Sequence, residues 1–403
     1  MRTFALYSII FAGSSLIVVN PVVIHLVTGL RSLAAYTALV DLWLLLIIVA
    51  GGLYLRRPGR LFGVALIGAV ATLLPALFAG EVLLVLLRHG YGDRIVGEMP
   101  DIFEPDPQLI YTLVPGAEGR HTSLGNFDVA YRIDDQGRKA IPASGKAERS
   151  LHVFGDSFTF GYGVGNEDTW LNLVDQRLGP EIDVLNYGVI GYSLEQMLLA
   201  LERYRDQIEP GDVVLFAPIS DDLERSLPGR SYVCGGMIRS EANETFPVLE
   251  ADGTWRMARL EEECSFLFDT VLANSPLPVG FGALWRSWRA RRGHEAMIDN
   301  ADRIFAAAEE VAERAGASFH VVFPASPDEC ANGRLAFDLA DLETPLRSFL
   351  EACPASREEA LALRFPFDGH WNPAGHAWAA ATLIEVLREL PHGRSGDLLA
   401  SDG

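Results

Sequence analysis

From Leu151 onward the chain alternates short apolar runs with segments of helical periodicity, and this alternation restricts the fold more than any other feature. Leu151–Phe154, Asp183–Asn186, Val213–Ala217 and Phe319–Phe323 read as strands. Asp168–Leu178, Ser193–Ile208, Ala296–Ala315, Leu339–Leu350 and Ala374–Leu390 read as helices. Asp168 can cap the first. Ser193, with Gln196 three residues on, has the capping-box arrangement. Pro345 is expected to break or kink the fourth helix. Strands that alternate with helices imply a parallel sheet covered on both faces. Such sheets place their chemistry at the carboxyl ends of the strands. Residues 223–292 interrupt the pattern and read as an insertion. No internal repeat is visible.

The amino-terminal part is different. Phe4–Val27, Leu33–Leu55 and Leu61–Leu87 are each long and apolar enough to cross a bilayer, which takes roughly 20 residues. Residues 1–90 are therefore expected to form a membrane anchor of three transmembrane helices. Arg2, Arg56, Arg57 and Arg60 outweigh Arg31, which puts the amino terminus in the cytoplasm and everything after Leu87 in the periplasm or extracellular space. Asn20 and Asp41 lie inside the first two stretches, either as a hydrogen-bonded pair between helices or in a functional role.

The net charge is −20. Residues 1–92 hold six Arg and no Lys against Asp41 and Glu81, a net +4, which leaves −24 on the remainder. So acidic a domain repels phosphate backbones and excludes nucleic acid as a partner. Cys234, Cys264, Cys330 and Cys353 all follow the anchor. In an oxidising compartment they permit two disulfides, most simply Cys234–Cys264 and Cys330–Cys353. No His/Cys cluster has metal-site spacing, so no metal is expected. Residues 91–150 are punctuated by Pro and Gly and read as a linker, with a short strand at Val129–Ile133 and a turn at Asp134–Gly137. The tail, 391–403, is polar and expected to be disordered. Trp285–Arg292 is basic and aromatic, either a surface helix with buried tryptophans or a docking element for anionic headgroups. Asn243-Glu244-Thr245 is a glycosylation sequon, relevant only in a eukaryote.

The chemistry gathers at two places. Leu151–Phe154 stops at Gly155-Asp156-Ser157-Phe158, which sets one serine at the end of a strand. Near the carboxyl end comes Asp368-Gly369-His370-Trp371. A serine hydroxyl is a weak nucleophile and needs an adjacent base. His370 is the candidate base and Asp368 the group that holds its imidazole, the two side chains lying on one side of an extended segment. Asn186-Tyr187-Gly188-Val189-Ile190-Gly191-Tyr192-Ser193 forms a glycine block after the second strand, and Ile219-Ser220-Asp221-Asp222 follows the third.

In their order these four blocks resemble the SGNH/GDSL hydrolases, over about residues 151–385. The resemblance implies a three-layer α/β/α, flavodoxin-like domain with a parallel sheet over residues 151–390. It implies Ser157 as nucleophile, with an oxyanion hole built from the backbone N–H groups of Ser157 and Gly191. The family more often has Asp-x-x-His. The shorter Asp-x-His is similar to the alginate O-acetyltransferase branch and other envelope-acting relatives. The family's third donor, an Asn side chain, is replaced by Asp221, and a carboxylate only accepts. Either burial protonates Asp221, or two backbone donors suffice, or Asp221 orients a sugar hydroxyl. The last two are favoured. Asp156 is expected to brace its loop, Asp222 to touch substrate or support the site, and His376 to pack or to support the site.

The function implied is a membrane-anchored serine esterase that hydrolyses O-acyl, above all O-acetyl, esters on envelope carbohydrate or lipid, without a cofactor. Alternatives are an O-acyltransferase with the same residues, which would need an acyl-donor partner protein, and an inactive envelope-binding module. The location implied is a bacterial inner membrane, with the catalytic domain outside it.

Overall fold

The computed structural model describes residues 2–19, 31–60, 63–68, 100–123, 125–142, 147–179, 182–226, 245–259 and 294–389. Cys234, Cys264, the sequon, Trp285–Arg292, Asn20 and the carboxyl-terminal tail lie outside these residues. The described residues up to 68 belong to one unit and those from 100 on to another.

In the first unit, helices Arg2–Val19 and Arg31–Arg56 pack on one another around Ala5, Ala12, Leu44 and Ile47. Their approach is close, since a Cβ at Gly51 would lie 2.8 Å from Ile9 Cγ1. Among the described residues no helix is long and apolar enough to cross a membrane. The first expected span is described only to Val19 and the third only from Gly63 to Gly68. The second carries Asp41 within its apolar run.

The second unit is built on a five-stranded parallel sheet. Its strands are β5 (Ser150–Gly155), β6 (Asp183–Gly188), β7 (Val213–Ala217), β10 (Ser318–Phe323) and β11 (Leu346–Ser348). The spatial order is β11-β10-β7-β5-β6, with every pairing parallel. In sequence order that is the doubly wound 2-1-3-4-5 arrangement, whose switch point lies between the first and third strands. β5 is therefore an interior strand, paired at Leu151 with Val184 on one side and Val213 on the other. A strand with neighbours on both sides and helices on both faces is apolar throughout, which is why Leu151–Phe154 lacks alternation. Leu151 and Val153 face a core that holds helices Trp170–Leu178 and Pro373–Glu389. Phe154 faces a core that holds Leu194–Tyr204 and His294–Arg314.

Residues 100–142, expected as a linker, pack into this second core. Hairpins β1–β2 (Phe103–Asp106, Ile110–Leu113) and β3–β4 (Glu118–Ser123, Phe127–Arg132) bury Ile102, Leu109, Tyr111 and Tyr131. The turn at Asp134–Gly137 forms, closed by Gly137 N–H donating to the Asp134 carbonyl at 3.0 Å. Within the 223–292 insertion, β8 (Thr245–Leu249) and β9 (Trp255–Arg259) form an antiparallel hairpin. The Cys330–Cys353 disulfide is present, with Cα atoms 5.3 Å apart.

Two helices differ from expectation. Thr169, not Asp168, caps Trp170–Leu178, because its hydroxyl accepts the Asn172 N–H while Asp168 closes a preceding 3₁₀ turn. Leu339–Leu350 is not a helix. Pro345 disfavours α conformation at Thr344 and lacks a donor, and the chain beyond it becomes edge strand β11 and a 3₁₀ turn, Phe349–Ala352.

Lys139 is 1% exposed, with its Nζ 3.5 Å from the centroid of Tyr131 and 4.2 Å from that of Phe160. No hydrogen-bond acceptor meets Nζ among the described residues, and burial holds its pKa well below 10.5. A depressed pKa in the folded state means that the unfolded chain binds the proton more tightly, so stability increases with pH up to the unfolded value. Lys139→Met is expected to stabilise the protein by about 1–3 kcal/mol at pH 7, and the gain should shrink as the pH nears 10.5. Thermal melts at pH 7 and pH 10 check this; a lower melting temperature for the variant at pH 7 would contradict it.

Candidate active site

The end of β5 meets small residues on both sides, Gly155 lying opposite Gly188 on β6 and Ala217 on β7. The chain turns at Asp156 and folds back over these strand ends as the short helix Ser157–Phe160. Room for that fold exists only without side chains. A Cβ on Gly155 would lie 2.0 Å from Thr159 Oγ1, and one on Gly188 2.3 Å from the Phe160 nitrogen. Asp156 caps the helix, its Oδ1 accepting the Phe158 N–H at 2.9 Å. Asp156 is wholly buried and Ser157 is 3% exposed.

The structure brings Ser157, His370 and Asp368 together. Ser157 Oγ lies 2.8 Å from His370 Nε2, and His370 Nδ1 lies 2.6 Å from Asp368 Oδ1. The same Oδ1 accepts the backbone N–H of His370 at 2.8 Å. The two-residue spacing thus works through a tight turn rather than an extended segment, one oxygen holding both N–H groups of the histidine. The turn is pinned at its base, where the Phe365 N–H donates to the His370 carbonyl and Arg364 bridges to Trp371. Burial opposes ionisation of Asp368, but the bonds and charge of His370 outweigh it and hold the carboxyl below its ordinary value.

Aromatic rings, not foreseen as site residues, fix the imidazole. Tyr162 stacks on it at 4.1 Å and 25°, and Phe158 lies against it at 4.9 Å. Behind them His121 packs edge-on to Tyr162 and bonds the Tyr131 hydroxyl at 2.9 Å. Burial, helped by the charge of Lys139, pushes the His121 pKa down to about 4.

Ser157, Asp368 and His370 open into a cavity of about 600 Å³, lined also by Asp221, Arg225, Asp328 and Phe367. Gly191, at φ +82°, forms the turn before helix Leu194–Tyr204 and is not among the described residues that line the cavity. Asp221 lines it with its side chain 66% exposed rather than buried, 3.9 Å from Arg225. Asp222 is wholly buried and faces inward. Its Oδ2 accepts the Ile219 N–H at 2.9 Å, and its Oδ1 pairs with Arg225. Burial and the Asp156 charge push its pKa well above the ordinary value. His376 is 1% exposed, and burial drives its pKa to about 3. Its Nδ1 accepts the Trp170 N–H at 3.3 Å, so it belongs to the core between helices rather than to the cavity.

Arg225 is the residue that sequence reasoning missed. It is 8% exposed, lines the cavity, and its Nη1 lies 3.1 Å from Asp156 Oδ2. The signal was available, because a buried acid beside Ser157 needs a cation and Arg225 lies within the same short helix as Asp221 and Asp222.

No protein-family model matches the chain. No curated protein matches it either. Among solved structures, a lipolytic protein of the G-D-S-L family from Veillonella parvula aligns at 13% identity, covering 60% of this chain and 100% of its own, with a TM-score of 0.32. TesA aligns at 14% identity, covering 59% of this chain and 98% of its own, with a TM-score of 0.32. A lipase/acylhydrolase from Enterococcus faecalis aligns at 14% identity, covering 62% of this chain and 100% of its own, with a TM-score of 0.29. Likenesses this distant carry no weight beside the bond distances at Ser157 and His370.

A short His370 Nδ1–Asp368 bond should hold its proton far downfield in the NMR spectrum. That signal is expected in the native protein and absent from Asp368→Ala. A native spectrum without it at low temperature and neutral pH would contradict the geometry.

Proposed function

We propose that the chain is a serine esterase. The observation that carries this reading is the continuous hydrogen-bonded line from Ser157 Oγ through the His370 ring to Asp368, with contacts of 2.8 Å and 2.6 Å. Ser157 Oγ attacks the ester carbonyl carbon while its proton passes to His370 Nε2. Asp368 stays ionised and holds the imidazolium that forms. The tetrahedral oxyanion takes the backbone N–H of Ser157. His370 then returns the proton to the leaving alkoxide, which departs as an alcohol and leaves an acyl-enzyme. Water, deprotonated by the same imidazole, releases the acid and restores Ser157.

The cavity points to the substrate class. Its wall carries Ser220, Asp221, Arg225, Ser326, Asp328 and Asn332 beside the apolar Phe158, Ile219, Leu335, Ala336 and Phe367. The polar groups suit a hydroxyl-rich carbohydrate and the apolar ones the acyl group it carries, an acetyl ester being the smallest such substrate. Asp221, exposed at the wall, would accept a hydrogen bond from a sugar hydroxyl. A sugar hydroxyl in place of water would make the same acyl-enzyme a transferase.

Attachment to a membrane is part of the proposal. In the first unit Tyr7, Ile10, Phe11, Leu46, Val49 and Val64 are exposed, an apolar surface that water does not favour. With the arginine asymmetry, it supports residues 1–90 as an anchor and an envelope location for the site.

Acetate release from an acetylated oligosaccharide tests the reading. The native protein should release acetate, Ser157→Ala should not, and Asp368→Asn should lower kcat by roughly 10⁴. Acetate release by Ser157→Ala at the native rate would refute the proposal. Adding a free acceptor sugar separates the two fates of the acyl group, because a transferase would turn acetate into acetylated acceptor.

A further inference from the structure

Asp156 poses an electrostatic problem for a serine nucleophile. Its Oδ2 lies 3.1 Å from Ser157 Oγ, and the carboxyl group is wholly buried. Negative charge develops beside Ser157 when the tetrahedral intermediate forms. An ionised neighbour at this depth opposes that charge with little screening by water. The site is also short of one donor, since position 221 holds an exposed acid where the resemblance expects an amide.

Arg225 meets this problem. Its Nη1 contacts the same Asp156 Oδ2 at 3.1 Å, so the nucleophile's hydroxyl and the guanidinium share one oxygen. The guanidinium is held from three further directions, by Asp222 Oδ1, by the Tyr192 carbonyl at 3.3 Å and by the exposed Asp221 Oδ2 at 3.9 Å. It is buried yet lines the cavity into which Ser157 opens. One cation thus stands between two buried carboxylates. Arg225 is the cation that faces both of them and also the cavity of Ser157.

We propose that Arg225 is a positioning residue that cancels the charge of Asp156, so that Asp156 can brace the nucleophile turn without repelling the oxyanion. The inference rests on the esterase reading of Ser157. Asp156 braces the turn at an electrostatic cost, because its Oδ1 caps the Phe158 N–H, a bond that an uncharged Asn can also accept.

The test is a double-mutant cycle on Ser157-dependent hydrolysis of p-nitrophenyl acetate, with Ser157→Ala as the blank. A native rate equal to the blank would refute the esterase reading itself and is distinguishable from every outcome below. Arg225→Gln is expected to lower kcat about 10²-fold with little change in KM. Arg225→Gln/Asp156→Asn should recover at least about tenfold of that loss. A double variant as slow as Arg225→Gln would overturn the proposal, because a packing or direct-donor role gives no rescue. Should Arg225→Gln fail to fold, Arg225→Lys decides alone. Charge without the planar fork is expected to keep kcat within about tenfold of native, and a loss of about 10³-fold in a folded Lys variant would contradict the charge argument.

Discussion

The site depends on a steric constraint, the absence of side chains where the chain doubles back over the end of β5. With Cβ atoms at Gly155 and Gly188, the Ser157–Phe160 helix would collide with its own strand and with its neighbour. Asp156 completes the turn by capping the helix, and Ser157 is left at the carboxyl end of the sheet beside the switch point. Everything else acts on a serine that this turn has already placed.

Support comes from segments far apart in sequence. Residues 100–142 wrap the sheet edge and fasten the glycine block. Tyr111 donates to the Ile190 carbonyl at 2.8 Å, Tyr192 returns a bond to the Tyr111 carbonyl at 2.8 Å, and Gln196 reaches the Leu109 carbonyl at 2.7 Å. The β3–β4 hairpin supplies His121, Phe127 and Tyr131, which stack behind Tyr162 and through it behind His370. The imidazole is therefore oriented by Asp368 from one end and by ring packing across its face, which limits the conformational freedom lost when it meets Ser157.

Much of this was legible in the sequence because it rests on local rules. Val213–Ala217 ends where its apolar run ends, and Ser193 with Gln196 begins a helix as a capping box should. Ser157, His370 and Asp368 were recognisable because nucleophile, base and acid fall in order along one α/β pattern. What escaped the sequence depends on contacts between distant segments. Residues 100–142 carry enough Pro and Gly to look like a linker, yet their alternate apolar residues meet a core that only the folded sheet provides. Leu339–Leu350 has helical periodicity, but Pro345 and the open edge of β10 favour a strand. Arg225 drew no notice because charged surface helices are common; its meaning comes from two buried acids, one of them 69 residues away.

The central claim is that Ser157 is a nucleophile activated by His370. Covalent labelling with a fluorophosphonate, followed by mass mapping of the modified peptide, tests it directly. The account predicts one adduct, on Ser157, that is lost or greatly slowed in His370→Ala. No adduct on the folded protein, or labelling of Ser157 at the native rate without His370, would contradict it.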